Sequence, residues 1–185
     1  PKITELENKL CEMTGAKYAV VCSNGTAALH MAAMAAGVGA GDELITTPIT
    51  FAASANCALY CGAKPVFADI NEKTYNIDPA SIAEKMTDKT KAVVAVDFTG
   101  QAVELDEIRA ICKEHNLILI EDAAHAIGTV YKGRPVGSVA DMTTFHKYLL
   151  TKKRFFDMSG NNVNHPNDFL ARGYAQLLWQ TVIGY

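Results

Sequence analysis

Three short segments carry the residue types from which a ligand site could be built. Ser23-Asn24-Gly25-Thr26 follows a short apolar run, Tyr18 to Cys22, and opens a pattern rich in Ala and Leu. A glycine among hydroxyls at a helix start offers free backbone N–H groups at the positive end of the helix dipole, the parts of a phosphate cup. An ordinary capped strand-to-helix turn uses the same residues. Glu121-Asp122-Ala123-Ala124-His125 ends a second apolar run. A carboxylate there, beside alanines small enough for something flat to approach, suits a protonated heterocyclic nitrogen, since an acid fixed against such a cation away from water stabilises it strongly. A strand-end acid capping the next turn is the alternative. Thr50-Phe51-Ala52-Ala53-Ser54-Ala55-Asn56 follows Pro48; Phe51 could stack on a planar ligand, with Ser54 and Asn56 nearby, or join the core.

These segments fall at defined places in a repeating rhythm of β-rich apolar run, turn and amphipathic helix. Strands are predicted at Tyr18–Cys22, Glu43–Thr46, Pro65–Ala68, Ala92–Val96, Leu117–Ile120 and Met142–Phe145. Their cores are apolar on both faces, as strands covered by helices on both sides must be, and the alternation reads as α/β with a largely parallel sheet. Helices are predicted from Thr26 to Ala36, stopped by Gly37, and from Phe51 to Cys61, stopped by Gly62. Asp78 is placed to cap a helix that Pro79 opens, and Leu105 to His115 sets Leu105, Ile108, Ile111 and Cys112 on one stripe. Ligands of an open parallel sheet bind beyond the carboxyl ends of its strands, which is where all three segments lie. Together they offer an anion site, an aromatic face and an acid for a ring nitrogen, the complement of pyridoxal phosphate.

Composition narrows the classes. Of 185 residues, 49% are apolar and 20% charged, with 17 Lys and Arg against 20 Asp and Glu. That balance gives no electrostatic case for nucleic acid or an anionic membrane. Cys11, Cys22, Cys57, Cys61 and Cys112 form no CxxC pair and no histidine cluster accompanies them, so buried thiols are expected rather than zinc ligands or a disulfide framework. Pro1-Lys2-Ile3-Thr4-Glu5 has no apolar leader pattern and charges or glycine interrupt every long apolar run; a soluble, cytoplasmic protein with no metal is the expectation. Gly37, Gly39 and Gly41 follow a helix rather than a strand, which argues against a dinucleotide fingerprint.

The order and spelling of the motifs resemble the DegT/DnrJ/StrS family of sugar-nucleotide aminotransferases. The matching stretches are SNGTAALHMA (23–32), GAGDELITTPITFAASAN (39–56), GAKPVFADI (62–70), TKA (90–92) and IEDAAHAIGTVYKGRPVGS (120–138). Their wording looks closest to the branch that transaminates a 4-keto sugar on the route to pseudaminic acid. The resemblance implies a three-layer αβα fold with a mostly parallel sheet, like the large domain of fold type I pyridoxal-phosphate transferases but truncated. It implies a homodimer acting on a nucleotide sugar and an amino acid, usually glutamate. It would give Asn24, Gly25 and Thr26 to the cofactor phosphate, Phe51 to the pyridine face, Asp122 to the ring nitrogen and His125 to the neighbourhood of the phenolic oxygen.

Residues 1–146 carry the resemblance and 147–185 do not. The family continues from the last strand as Phe-Ser-Phe-His, two residues and the lysine that bonds the cofactor; here Phe145 is followed by His146-Lys147-Tyr148-Leu149-Leu150-Thr151-Lys152. Lys147 and Lys152 are the candidates for that lysine. The resembling enzymes are considerably longer, so a truncated or rearranged chain is expected. Its tail reads as a basic and polar stretch followed, from Phe169, by an apolar helix whose Trp179, Val182 and Ile183 would seek a partner. The alternative function is a catalytically silent homologue acting as a cofactor-binding or assembly module. Asp69 and Asp97 are expected to bind loop amides, His30 to pack, and Tyr75 and Asn76 receive no role.

Overall fold

A computed structural model describes residues 2–145 and, over 176–181, the course of the backbone. Local signals set its element ends. Asn24 caps helix α2 (Gly25–Ala35), its side-chain oxygen accepting from Ala27 N at 2.7 Å. Asp78 caps α4 (Pro79–Lys85) by accepting from Ala80 N at 3.0 Å, ahead of a proline whose missing N–H is no loss in a first turn.

Strands β1 (Val20–Cys22), β2 (Glu43–Thr46), β3 (Lys64–Phe67), β4 (Thr90–Val96), β5 (Ile118–Ala123), β8 (Met142–Phe145) and β9 (Gln176–Thr181) form one sheet in the order β1-β9-β8-β5-β4-β2-β3. A two-stranded ribbon, β6 (Val130–Tyr131) with β7 (Arg134–Pro135), stands apart. The pairs β2–β3, β2–β4, β4–β5 and β5–β8 are parallel, whereas β9 runs antiparallel to both β1 and β8. All strands but β9 therefore point the same way, and their carboxyl ends share one edge.

Alternation along the strands divides the core. Leu44, Ala92, Val94, Val96, Ile120 and Met142 pack on one face under α2 and α3 (Ala53–Tyr60). Ile45, Val93, Ala95 and Leu119 pack on the other against Ile82 of α4 and Leu105, Ile108 and Cys112 of α5 (Leu105–Glu114). This is the three-layer α/β fold with a mostly parallel sheet that the residue pattern predicts. Helix α1 (Lys2–Thr14), which the pattern did not predict, closes one end by setting Leu10 against Ala123, Ala126, Val136 and Phe145. Among the described residues no helix is long and apolar enough to cross a membrane.

Two expectations need correction. Helix α3 begins at Ala53, not Phe51, because the Phe51 carbonyl is already spent as a cap, accepting from Ser54 N at 3.1 Å. Over 176–181 the chain is a strand, not the apolar helix expected there. Its backbone has ladders on both sides, with Leu178 opposite Val20 on β1 and Thr144 on β8, and two open sheet edges outweigh the helical preference of leucine. Lys147, Lys152, Phe169, Val182 and Ile183 lie outside the described residues.

Candidate cofactor site

The chain passes from β2 outward to β3, but from β4 to β5 and on towards β8 in the other direction. In open α/β sheets ligands bind where the strand order reverses in this way, here beyond the carboxyl ends of β2 and β4. Around that edge the fold gathers the turn after β1, the start of α3 after β2, the loop after β4 and the end of β5.

Asp122 stands one residue before the end of β5, on the same face as Ile120, and is 5% exposed. Its Oδ2 accepts from Ser54 Oγ at 2.7 Å and its Oδ1 from Ala124 N at 3.3 Å. The Ser54 hydroxyl is itself paired with Thr50 Oγ1 at 2.8 Å, so the segment leading into α3 and its first turn together present a two-hydroxyl relay to the acid. Thr144 faces Asp122 across the ladder, near the carboxylate, but its hydroxyl completes no hydrogen bond. Burial pushes the Asp122 carboxyl above its ordinary range, and the Ser54 and Ala124 donors and the His125 side chain pull it back. Its direct donors are thus neutral. A buried carboxylate so placed lacks a charge-assisted partner, which a protonated ring nitrogen supplies.

Asn24, Gly25 and Thr26 form the turn into α2. Ala27 N is taken by the Asn24 side chain and Ala28 N by the Asn24 carbonyl at 3.0 Å, which leaves the Gly25 and Thr26 amides uncommitted. A Cβ built on Gly25 meets nothing within 4 Å, so open space lies before those amides. This fits an anion such as a phosphate.

Phe51 is 66% exposed, which removes the core reading of its ring and leaves a free aromatic face at the entrance to α3. His125 is exposed in the turn after β5. Gly100 (φ +93) passes so close beneath it that an added Cβ would lie 3.0 Å from the His125 carbonyl oxygen, so the loop after β4 approaches that turn only as glycine. The structure thus brings Ser54, Asp122 and His125 together and sets Asn24–Thr26 and Phe51 on the same sheet edge. The lysine candidates, Lys147 and Lys152, fall outside the described residues.

Other residues take roles the sequence did not announce. Asn76, 4% exposed, donates to the Gln101 and Ala102 carbonyls at 3.0 and 3.1 Å and accepts from Phe98 N at 3.0 Å, tying the loop after β3 to the loop after β4. Its only sequence signal is an amide in a turn beside Tyr75, whose φ is +60. Asp69 and Asp97 do bind loop amides, those of Ile70 at 2.8 Å and Val103 at 2.9 Å. His30 stacks at a tilt on Tyr60, ring centroids 5.2 Å apart. All five cysteines are free; Cys57 and Cys112 are buried, and burial pushes both thiols up to about 12.

Known proteins share this architecture. The sequence pattern of the DegT/DnrJ/EryC1/StrS aminotransferase family matches residues 1–149. The spore coat polysaccharide biosynthesis protein SpsC of Bacillus subtilis is 48% identical over 148 residues, covering 80% of this chain and 38% of that protein. Among solved structures, an aminotransferase from Psychrobacter cryohalolentis superposes with a TM-score of 0.77 at 45% identity, over 78% of this chain and 37% of its own. Helicobacter pylori PseC, an aminotransferase involved in the biosynthesis of pseudaminic acid, superposes with a TM-score of 0.72 at 35% identity, over 78% and 39%. The chain spans less than half the length of each. Similar solved structures exist in pyridoxal-phosphate and pyridoxamine-phosphate forms.

Proposed function

Because this chain belongs to the DegT/DnrJ/EryC1/StrS aminotransferase family, we propose that it supplies the cofactor-binding part of a pyridoxal-phosphate aminotransferase of nucleotide sugars. The observation that carries the proposal is Asp122, a buried carboxylate at the carboxyl edge of the sheet held by neutral donors only. When bound, the cofactor supplies an electron sink that lets an amino group pass from one carbon to another.

The residues of the chain then have distinct tasks. Asp122 holds a proton on the ring nitrogen through Oδ1 or Oδ2, and Ser54 fixes the plane of that carboxylate. The Gly25 and Thr26 amides bind the phosphate at the dipole end of α2, with Asn24 holding the turn in shape. Phe51 covers one ring face and sheds water from it. His125 orients the phenolic side. Lys147 or Lys152 is the candidate for the covalent anchor and for moving the substrate proton.

Glutamate is the proposed donor and a 4-keto nucleotide sugar the proposed acceptor. The pseudaminic acid branch is favoured by the wording of residues 49–70 and by the likeness to PseC. A second copy of the chain is the proposed partner, in a cytoplasmic setting; exposed Met34, Leu59 and Tyr60 on α2 and α3 offer it an apolar surface. These similarities favour the enzymatic reading over a silent module.

Mixing the chain with cofactor, following the absorbance change, then reducing with borohydride and mapping labelled lysines by mass spectrometry tests the proposal. Saturable binding with the label on Lys147 or Lys152 is expected. No saturable binding, or a label scattered over surface lysines, would contradict it.

A further inference from the structure

The two most deeply buried acids outside the cofactor contacts lie next to one another in the fold. Asp97 is 1% exposed and Glu121 is 0% exposed. In the parallel β4–β5 ladder Ala95 faces Glu121 and Val96 faces Asp122, so Asp97 follows two residues beyond the partner of Glu121 and on its side of the sheet. At that diagonal separation the two carboxyls act on one another electrostatically. Each acid uses one oxygen. Asp97 Oδ1 accepts from Val103 N at 2.9 Å, and Glu121 Oε2 accepts from Gly137 N at 3.0 Å and from Thr143 Oγ1 at 2.9 Å. Each leaves the other oxygen, Asp97 Oδ2 and Glu121 Oε1, buried without a donor.

Two ionised carboxylates with orphaned oxygens in a dry interior would combine desolvation with mutual repulsion. Among the described residues no salt bridge reaches either acid. Among them, the ionisable group that acts on the pair from outside is Asp122, which adds negative charge, and His125 acts on Asp122. Strands β8 and β9 carry no ionisable residue. The Arg109–Asp141 pair sits by the amino end of β5, where Asp141 also accepts from Leu119 N, and Glu104, Lys132, Asp106 and Arg134 pair with one another at the surface.

We propose that Asp97 and Glu121 share one buried proton, an O–H···O bridge between their two orphaned oxygens, and that this acid pair is a positioning device for Asp122. One proton satisfies both oxygens and halves the buried charge. The bridge would join what each acid already holds: the loop after β4 through Val103, the 136–139 loop through Gly137, and β8 through Thr143. Asp97 N also donates to the Asp122 carbonyl at 3.0 Å, so the bridge braces the backbone of Asp122 from the strand beside it. Burial raises both acids in the same direction, Glu121 to about 7 and Asp97 well above its ordinary range, with Glu121 itself contributing to the rise at Asp97. The shared proton stands without the cofactor; its positioning role rests on the reading of Asp122 as the ring-nitrogen partner.

The test is a carboxyl-carbon NMR titration of the full chain labelled at Asp and Glu, as wild type, Glu121→Gln and Asp97→Asn. In the wild type, the Asp97 and Glu121 signals should each report two linked steps. In Glu121→Gln, the new amide can donate to Asp97 Oδ2, so the Asp97 midpoint should fall by more than about one pH unit; Asp97→Asn should lower Glu121 likewise. Independent single-site curves in the wild type, or an unmoved partner in either variant, overturn the bridge. Cofactor titrations across the same pH range form a separate arm. Affinity should decline above the upper midpoint of the pair in the wild type and lose that inflection in Glu121→Gln; an unchanged profile overturns the positioning role. Linked carboxyl titrations without any cofactor binding would leave the bridge standing and remove the cofactor reading instead.

Discussion

The Ser54 hydroxyl donates to Asp122 Oδ2 at 2.7 Å, joining the first turn of α3 to the end of β5 across 68 residues of sequence. This contact makes the orientation of the buried acid a property of the whole sheet edge rather than of its own strand. Ser54→Ala removes a hydrogen bond to a charged group, a loss of about 1.5–3 kcal/mol for the ionised form. The Asp122 midpoint should rise, and cofactor affinity should fall about tenfold or more at unchanged helix content. Absorbance titration beside circular dichroism measures both; unaltered affinity would remove Ser54 from the site.

Gly25 and Gly137 should answer differently to the same change. At Gly25 an added Cβ meets nothing of the protein within 4 Å, whereas at Gly137 (φ +95) it would lie 2.9 Å from both Phe145 Cζ and Thr14 Cγ2. Gly25→Ala should fold normally yet bind phosphate and cofactor more weakly, because the methyl occupies the space before the free amides. Gly137→Ala should lose about 2–4 kcal/mol of stability through strain and overpacking, and pull its N–H from Glu121. Urea unfolding of both variants decides this, and equal stability of the two would count against the geometry.

Asn24→Ala removes the cap of α2, the 2.7 Å bond to Ala27 N. The expected loss is about 1 kcal/mol. A lower Tm in both free and ligand-bound protein is the readout, together with weaker phosphate binding as the turn loses its shape.

Stability should fall as the pH rises towards neutrality. Burial pushes the Glu121 carboxyl from its ordinary 4.5 up to about 7, so the folded state holds an extra proton. Its contribution is fully present below about 4.5 and is lost as the pH climbs through about 7. Asp97 and Asp122 are raised too and act in the same sense. Denaturant midpoints measured across this range should decline, and Glu121→Gln should flatten the slope. A wild-type midpoint that rises over the window would oppose the buried-acid account.

Much of the architecture was legible because its signals are local. The doubly apolar runs at Glu43–Thr46 and Met142–Phe145 became strands with those bounds, and Asn24 and Asp78 became caps. Asp122 was legible as an acid at a strand end. What pairs with it was less so, because the Ser54 contact is set by how α3 packs on the sheet. Asn76 escaped notice for the same reason: its partners are 22 to 26 residues away. The apolar Gln176–Thr181 segment misled because leucines suit both helix and strand, and only the unpaired edges of β1 and β8 decide between them. Helix α1 buries only Leu10 and Thr14 and carries a broad polar surface, which hid it.

The most direct test of the account is the protonation state of the cofactor ring nitrogen on the full chain. Nitrogen NMR of ring-labelled pyridoxal phosphate, bound to the wild type and to Asp122→Asn, reads it without requiring turnover. A buried carboxylate against the ring predicts a pyridinium signal in the wild type that persists above the pH at which the free cofactor loses that proton, and an unprotonated ring in the variant. Identical signals in the two proteins, or a wild-type ring that titrates as it does in water, would contradict the assignment of Asp122 and with it the site proposed at this edge of the sheet.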